Sequence, residues 1–553
     1  MIIADLVITN GKVITVDKDF SLKEAIAVKN GWVIDVGTNS EIKSYIGQGT
    51  EVVDLGGRVI LPGAHDGHIH TTHTGFFLDS EKLNLKFPEV KSIKDINRKL
   101  ADAVKKSKPG EWIIGFGWNS GLLEECVNEK RTVNRWDFDP ITPNNPIALY
   151  DYSAHVLAVN SKALEICGIT KDTPDLKREE GRFSRDKDTG EPDGCFYEWG
   201  AQLLISRHMP QLNKNEIKEC IKRAQTYLNE NGITSHADIL GVGGEYLFCG
   251  TWGSKVIDVY EEMARDSKLT ARVSINVMPG LNGIQGYEAI TEGLKITKLP
   301  EFHDKNWVKA DIAKIFADGS PSLDNTYVFH GDTEEEQRQE LIDTIVEVHR
   351  QGWQVAIHTT GDKAAEAIIE GCIKAQQMYP REAPRHFLIH GDWLTMERAK
   401  KAAKFKIGLS AQPNAGYSVM DFLVELFGRE RGSKFFCLQD LTEAGINVAG
   451  GSDANIFDPN WRLGVQFAVT RKTITGNVYA PEIASTIENA IKMYTINGAY
   501  QEHMENIRGS IEVNKVADFQ VLGEDIFKVN KDEIGNIPVV MTICDGKIVY
   551  NKL

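Results

Sequence analysis

The sequence lacks any apolar run near the roughly 18 residues that a membrane-spanning helix requires. Its first residues, Met1 to Asn10, carry no basic stretch followed by a long apolar one. Neither a span nor a secretory leader is expected, which points to the cytoplasm. Cysteine is sparse, with eight in 553 residues. None stands in a Cys-X-X-Cys spacing, which excludes a zinc knuckle and a dense disulfide frame and leaves reduced, mostly buried thiols as the expectation. Positive charge is also short: 63 Lys and Arg against 78 Asp and Glu give a formal charge of −15. A surface of that sign does not attract nucleic acid or an anionic membrane, so the expected partner is a small molecule. Internal repeats and low-complexity tracts are missing too. A homodimer is the default expectation for a soluble enzyme.

What is present begins with two β-rich ends. Leu6-Val7-Ile8-Thr9 runs into Asn10-Gly11, and Ala25-Ile26-Ala27-Val28 into Asn30-Gly31 before Trp32-Val33-Ile34. Asn-Gly between apolar runs is a hairpin signature. The other end repeats the style in 517–522 and 539–543, with Asp545-Gly546 before 547–550. One small β-domain built from 1–57 and 505–553 is expected. Between the ends, β-branched runs alternate with helix-compatible segments at 58–70, 233–239, 272–278, 308–318, 354–359, 387–390, 406–411 and 446–452. That rhythm predicts an α/β fold, a (β/α)8 TIM barrel over 58–504, whose reactive groups belong at strand C-terminal ends. The gap after the first strand is too long for one crossover and predicts an insertion over about 74–231. Its rings, among them Trp112, Phe116, Trp118, Tyr152 and Trp199, either line a lid or form the insertion's own core.

The chemistry starts at His68-Ile69-His70, where strand alternation puts two imidazoles on one face. Lys314 interrupts an apolar strand in Ile312-Ala313-Lys314-Ile315-Phe316. It either snorkels to water or sits desolvated with a depressed pKa. A neutral lysine can add carbon dioxide, giving a carbamate able to bridge two cations. His358 and His390 end the fifth and sixth predicted strands, and Asp453 follows the eighth. Each has a structural alternative, an N-cap in the case of Asp453. Together they occupy strand ends of one barrel and suit zinc or a similar divalent ion, with iron, manganese and cobalt also accepting these ligands.

These residues, with Asp66-Gly67, His155 and Asn160-Ser161, Gly361-Asp362, Gln412-Pro413, Gly451-Ser452 and the closing Lys515-Val516-Ala517-Asp518, make the chain resemble the amidohydrolase superfamily over essentially its full length. The likeness is to the family 3 branch typified by N-substituted formamide deformylase. The resemblance implies a (β/α)8 barrel with a β-sandwich domain built from both ends, His68 and His70 on a first metal, carboxylated Lys314 between two metals, His358 and His390 on the second, and Asp453 as ligand and proton shuttle. Two departures stand out. Ala64-His65 replaces the usual aromatic neighbour and leaves His65 as an extra imidazole, and Asp318-Gly319-Ser320-Pro321-Ser322 replaces a small-residue run. His155 and His236 are candidate substrate-binding residues, whereas Asn160-Ser161 reads as a helix cap. His330, His349 and His503 read as surface or packing residues.

The expected reaction is hydrolysis of an amide-type C–N bond, in an N-substituted formamide or other N-acyl compound, by a metal-activated water with Asp453 moving the proton. The rivals are a mononuclear deaminase of a ring or amidine, which needs no carbamate at Lys314, and a barrel that has lost its chemistry and only binds or regulates.

Overall fold

A computed structural model describes residues 2–177, 180–319 and 328–553. Ser320, Pro321 and Ser322 lie outside the described residues. Eight strands form one parallel sheet in chain order: Ala64–Ile69 (β1), Ile233–Leu240 (β2), Arg272–Val277 (β3), Val308–Phe316 (β4), Gln354–Thr359 (β5), Phe387–His390 (β6), Gly408–Ala411 (β7) and Val448–Gly450 (β8). The ring closes between its ends: Asp453 N–H donates to the His68 carbonyl at 2.7 Å and His70 N–H to the Ala454 carbonyl at 2.7 Å. Helices follow the strands where the sequence supplies caps. Before Glu334–Arg350, Thr333 and Glu336 form a reciprocal capping box, with acids in the first turn and Arg350 in the last. This is the expected (β/α)8 barrel. Among the described residues no helix is long and apolar enough to cross a membrane.

The run expected as one strand over 58–70 is two. Val59–Pro62 pairs with Phe519–Leu522 and Lys12–Ile14 in a sheet outside the barrel, and only Ala64–Ile69 enters the barrel. The break falls at Gly63, where a Cβ would stand 2.0 Å from Thr234 Oγ1, so no larger residue lets the chain pass between the two sheets.

Both ends of the chain build that outer sheet, ordered Lys547–Asn551, Val539–Cys544, Phe519–Leu522, Val59–Pro62, Lys12–Ile14 and Leu22–Lys23. It shares a core with a four-stranded sheet through Leu6, Ile8, Val13, Ile26, Phe519 and Ile543, so the two sheets form the β-sandwich that the resemblance implies. Asn30-Gly31 and Asp545-Gly546, both positions at positive φ, are tight hairpin turns. Asn10-Gly11 is not. Leu6–Thr9 and Lys12–Ile14 belong to different sheets, and the dipeptide carries the chain from one to the other. The insertion has its own mixed six-stranded sheet, with Leu83–Asn84 at one edge and Arg182–Arg185 at the other. Trp118 and Phe138 fill its interior, while Phe116, Tyr150 and Trp199 share a second core with Phe316 and Trp252, where Trp199 packs directly on both. Asn160 caps the helix Ser161–Cys167 by accepting from Ala163 N–H at 3.0 Å.

The barrel floor accounts for His65. Its Nδ1 meets Ser235 Oγ at 3.0 Å and its Nε2 faces Glu502 Oε1 at 3.4 Å. Burial would push the Glu502 carboxyl up, but His65, Arg508 and Lys309 surround it and hold it well below the usual range. Ser274 Oγ also donates to it at 2.7 Å. His65 is therefore part of a buried ion network at the opposite end of β1 from His70. Glu502 directly follows the helix Ile496–Gln501, so these contacts tie that segment to β1 and β3.

Candidate metal centre

Strand register gathers the expected residues at one end of the barrel. Phe316 pairs with His358 and Thr359 with His390, which sets the two histidines on neighbouring strands, while Lys314 lies two residues deeper on β4. His68 and His70 alternate onto one face at the end of β1, their rings 5.4 Å apart. The His68 ring lies 5.3 Å from that of His390, which is 4.6 Å from that of His358. Asp453 closes the group, with Oδ1 3.2 Å from His70 Nε2 and 3.4 Å from His68 Nε2. One ligand atom each from His68, His390 and Asp453 falls within 4.8 Å of the others. His390 and Asp453 both hold positive φ, 69° and 57°. Non-glycine residues adopt that conformation at a cost and concentrate where function needs a side chain aimed.

Electrostatics prepare the group for a cation. Burial pushes His68 down to about 3, His390 to about 4 and His358 well below the usual imidazole value, so these rings offer neutral lone pairs. Burial also drives Lys314 well below the ordinary lysine range. For Asp453 burial acts upward, but hydrogen bonds to His68 and His70 reverse it and hold the carboxylate well below its usual value. Among the described residues, His68 Nδ1, His70 Nδ1, His358 Nε2 and Lys314 Nζ are buried without a hydrogen-bond partner. Orphaned buried polar atoms are costly unless a further group satisfies them, so this donor set of imidazoles, carboxylate and neutral amine fits a divalent metal.

Surrounding contacts hold these side chains in place. His390 Nδ1 meets Gln412 Oε1 at 2.6 Å, which aims Nε2 inward. The His70 ring stacks on Trp252 at 4.4 Å. Asp66, raised to about 6 by burial, accepts from Ser452 N–H at 2.9 Å and ties β1 to the loop carrying Asp453. Asp318, raised to about 7 by burial, accepts from Thr360 and Gly361 N–H and fixes the loop after His358.

A cavity of about 110 Å³ opens on the group. His155 lines it from the insertion, with Nδ1 2.8 Å from Glu198 Oε2 and its ring stacked on Trp199. Burial would lower His155, yet the Glu198 charge and hydrogen bond raise it. Its partner escaped sequence reasoning because Val156 pairs with Tyr197, which brings residues 43 apart together only in the folded sheet. Asp392, two residues past His390, also lines the cavity and was not singled out. His236 was expected to touch substrate, but it does not line this cavity. It is fully buried beside His65, Glu502 and Arg508, because its strand position faces the barrel floor. His349 is buried and bonded to His386 and the Tyr379 carbonyl, a packing role.

The amidohydrolase family pattern matches residues 51–550. The chain belongs to the amidohydrolase family. This amidohydrolase is 28% identical to the putative amidohydrolase YtcJ of Bacillus subtilis, over 98% of each chain. It is 25% identical to the N-substituted formamide deformylase of Arthrobacter pascens, over 99% of this chain and 98% of that one. An uncharacterized metal-dependent hydrolase from Pyrococcus horikoshii has the same fold, with a TM-score of 0.70 at 23% identity, covering 95% of this chain and 99% of that one. Family membership makes the chain a metal-dependent hydrolase acting on C–N bonds.

Proposed function

We propose that this amidohydrolase cleaves an amide-type C–N bond, in N-substituted formamides or other N-acyl compounds, at a binuclear centre. The observation that carries the reading is Lys314. Its amine is fully buried and, among the described residues, has no hydrogen-bond partner, and it lies within electrostatic reach of His68, His358, His390 and Asp453. A neutral amine so placed is suited to carbamate formation with carbon dioxide, which turns an orphaned donor into an anionic bridge. His68 and His70 would hold one ion, His358 and His390 the other, with Asp453 as a further ligand; zinc fits these donors, as do iron, manganese and cobalt. When bound, such ions polarise a carbonyl and make water acidic near neutral pH.

The chain's own groups do the rest. Asp453 borders the cavity within reach of two imidazoles, placed to take a proton from the attacking water and hand it to the leaving amine. His155, held by Glu198, faces the same space and orients substrate from the side of the insertion. The similarity to the formamide deformylase supports the choice of formamides.

A second reading has one observation in its favour. The tight grouping of His68, His390 and Asp453 would serve a single ion, as a deaminase of a ring or amidine requires. A panel of formamides, N-acyl amino acids, carbamates and amidines, given to metal-loaded protein, separates them. Release of amines from amides is the expected result, and release of ammonia from amidines alone would transfer the assignment to the deaminase.

A further inference from the structure

His155 faces the cavity beside the metal centre from a corner of the insertion sheet. The strands Val156–Val159 and Pro192–Tyr197 run antiparallel with Val156 opposite Tyr197, so His155 and Glu198 stand across from each other one residue beyond the ladder. Two hydrogen bonds join them. Glu198 N–H donates to the His155 carbonyl at 2.9 Å, and the His155 ring donates from Nδ1 to Glu198 Oε2 at 2.8 Å. Because a carboxylate only accepts, this contact fixes which ring nitrogen carries the proton and leaves Nε2 for the substrate. The face of the ring lies on Trp199, centroids 5.2 Å apart, and Trp199 packs edge-on against Phe316 and Trp252. The imidazole is held both along its plane and across it.

Backbone strain accompanies this hold. Glu198 adopts φ 65° and ψ 158°, a combination nearly reserved for glycine, and Ala154, the residue before His155, has φ 66°. The same region of the sheet places glycine at two other positive-φ positions, Gly181 and Gly194, yet carries a glutamate here. Packing then confines the carboxyl. A Cβ at Gly319 would stand 3.2 Å from Glu198 Oε1, and the Gly319 carbonyl is itself fixed by Thr360 Oγ1 at 2.7 Å. A costly conformation kept at a residue that grips a cavity side chain points to function.

Resting on the amide-hydrolase reading, we propose that Glu198 is a positioning residue of that reaction, which holds the His155 ring so that Nε2 meets the scissile amide, and that its strained backbone is kept for this purpose. Glu198 acts through His155 and touches neither the substrate nor the metal ligands. A ring fixed before the substrate arrives need not be ordered at the moment of reaction.

The test uses metal-loaded protein and whichever formamide or N-acyl amino acid of the panel it cleaves fastest. Glu198→Ala is expected to lower kcat/KM by about 10- to 100-fold with metal content unchanged, the worth of a hydrogen bond to a charged group. Glu198→Gln, whose amide oxygen still accepts from Nδ1, is expected to come within about fivefold of the unmodified protein. In a His155→Ala background, Glu198→Ala is expected to cost less than about a further twofold, since nothing remains to be positioned. Glu198→Gly loses the same contact as Glu198→Ala, yet it should melt on the order of 1–3 °C higher because glycine fits this backbone. Multiplying losses in the double variant, full activity in His155→Ala, or a glycine variant no more stable than the alanine one overturns the proposal. If the unmodified protein cleaves no amide, the hydrolase reading fails instead, and crystal structures of the metal-loaded variants decide the positioning. A His155 ring kept in place in Glu198→Gln and turned in Glu198→Ala supports it, and a ring unmoved in Glu198→Ala refutes it.

Discussion

Replacing Asp453 with asparagine is expected to lower kcat by about 10²- to 10⁴-fold, the usual worth of a positioned acid–base group, while metal content stays near that of the unmodified protein. Asparagine keeps the shape and an oxygen donor, so it still fits between His68 and His70, where Asp453 Oδ1 lies 3.4 and 3.2 Å from the two Nε2 atoms. It loses the ability to carry a proton. The held carboxylate matters because hydrogen bonds from both histidines keep it ionised despite burial, ready to accept. Steady-state kinetics with parallel metal analysis reads the outcome. Near-normal turnover would remove Asp453 from the proton path, and loss of metal along with activity would make it a ligand before anything else.

Lys314→Met is expected to produce two changes of opposite sign. Metal content and turnover should collapse, since the group expected to bridge the ions is gone. Yet the metal-free protein should gain stability, on the order of 1–3 kcal/mol, because an amine buried at 0% exposure, with no hydrogen-bond partner among the described residues, is replaced by an apolar chain of similar length. Thermal unfolding of both proteins after chelation, beside metal quantitation of the loaded forms, separates the effects. A variant destabilised without metal would show that Lys314 serves packing in its neutral form, and a variant that keeps two ions would deny it any bridging role.

How far the sequence alone leads depends on the range of the interaction concerned. The strand-end candidates are legible because their signal is local: His68 and His70 alternate, His358 and His390 end apolar runs, Lys314 interrupts one, and Asp453 follows one, all placed by parallel register in one barrel. Asn10-Gly11 and Asn30-Gly31 are the same dipeptide with different outcomes. Local conformational preference allows the turn in both, but the sheets that capture the flanking residues decide whether a hairpin forms. The break at Gly63 needs knowledge of Thr234 packed against it. Glu198 and Asp392 stayed hidden for the same reason. What defines them is the partner or cavity they face, reached only once the insertion sheet and the barrel mouth are assembled. His65 and His236 carry ligand-like chemistry on β1 and β2, and they face the floor, where Glu502 and Arg508 come from the far end of the chain.

The central claim is a two-ion centre bridged by a modified Lys314. A crystal structure of the metal-loaded protein, with anomalous data collected at the absorption edge of the bound metal, tests it most directly. The account predicts two anomalous peaks, one beside His68, His70 and Asp453 and one beside His358 and His390, with density for a carboxylate extending the Lys314 side chain. A single peak among His68, His390 and Asp453, beside an unmodified lysine, would contradict it.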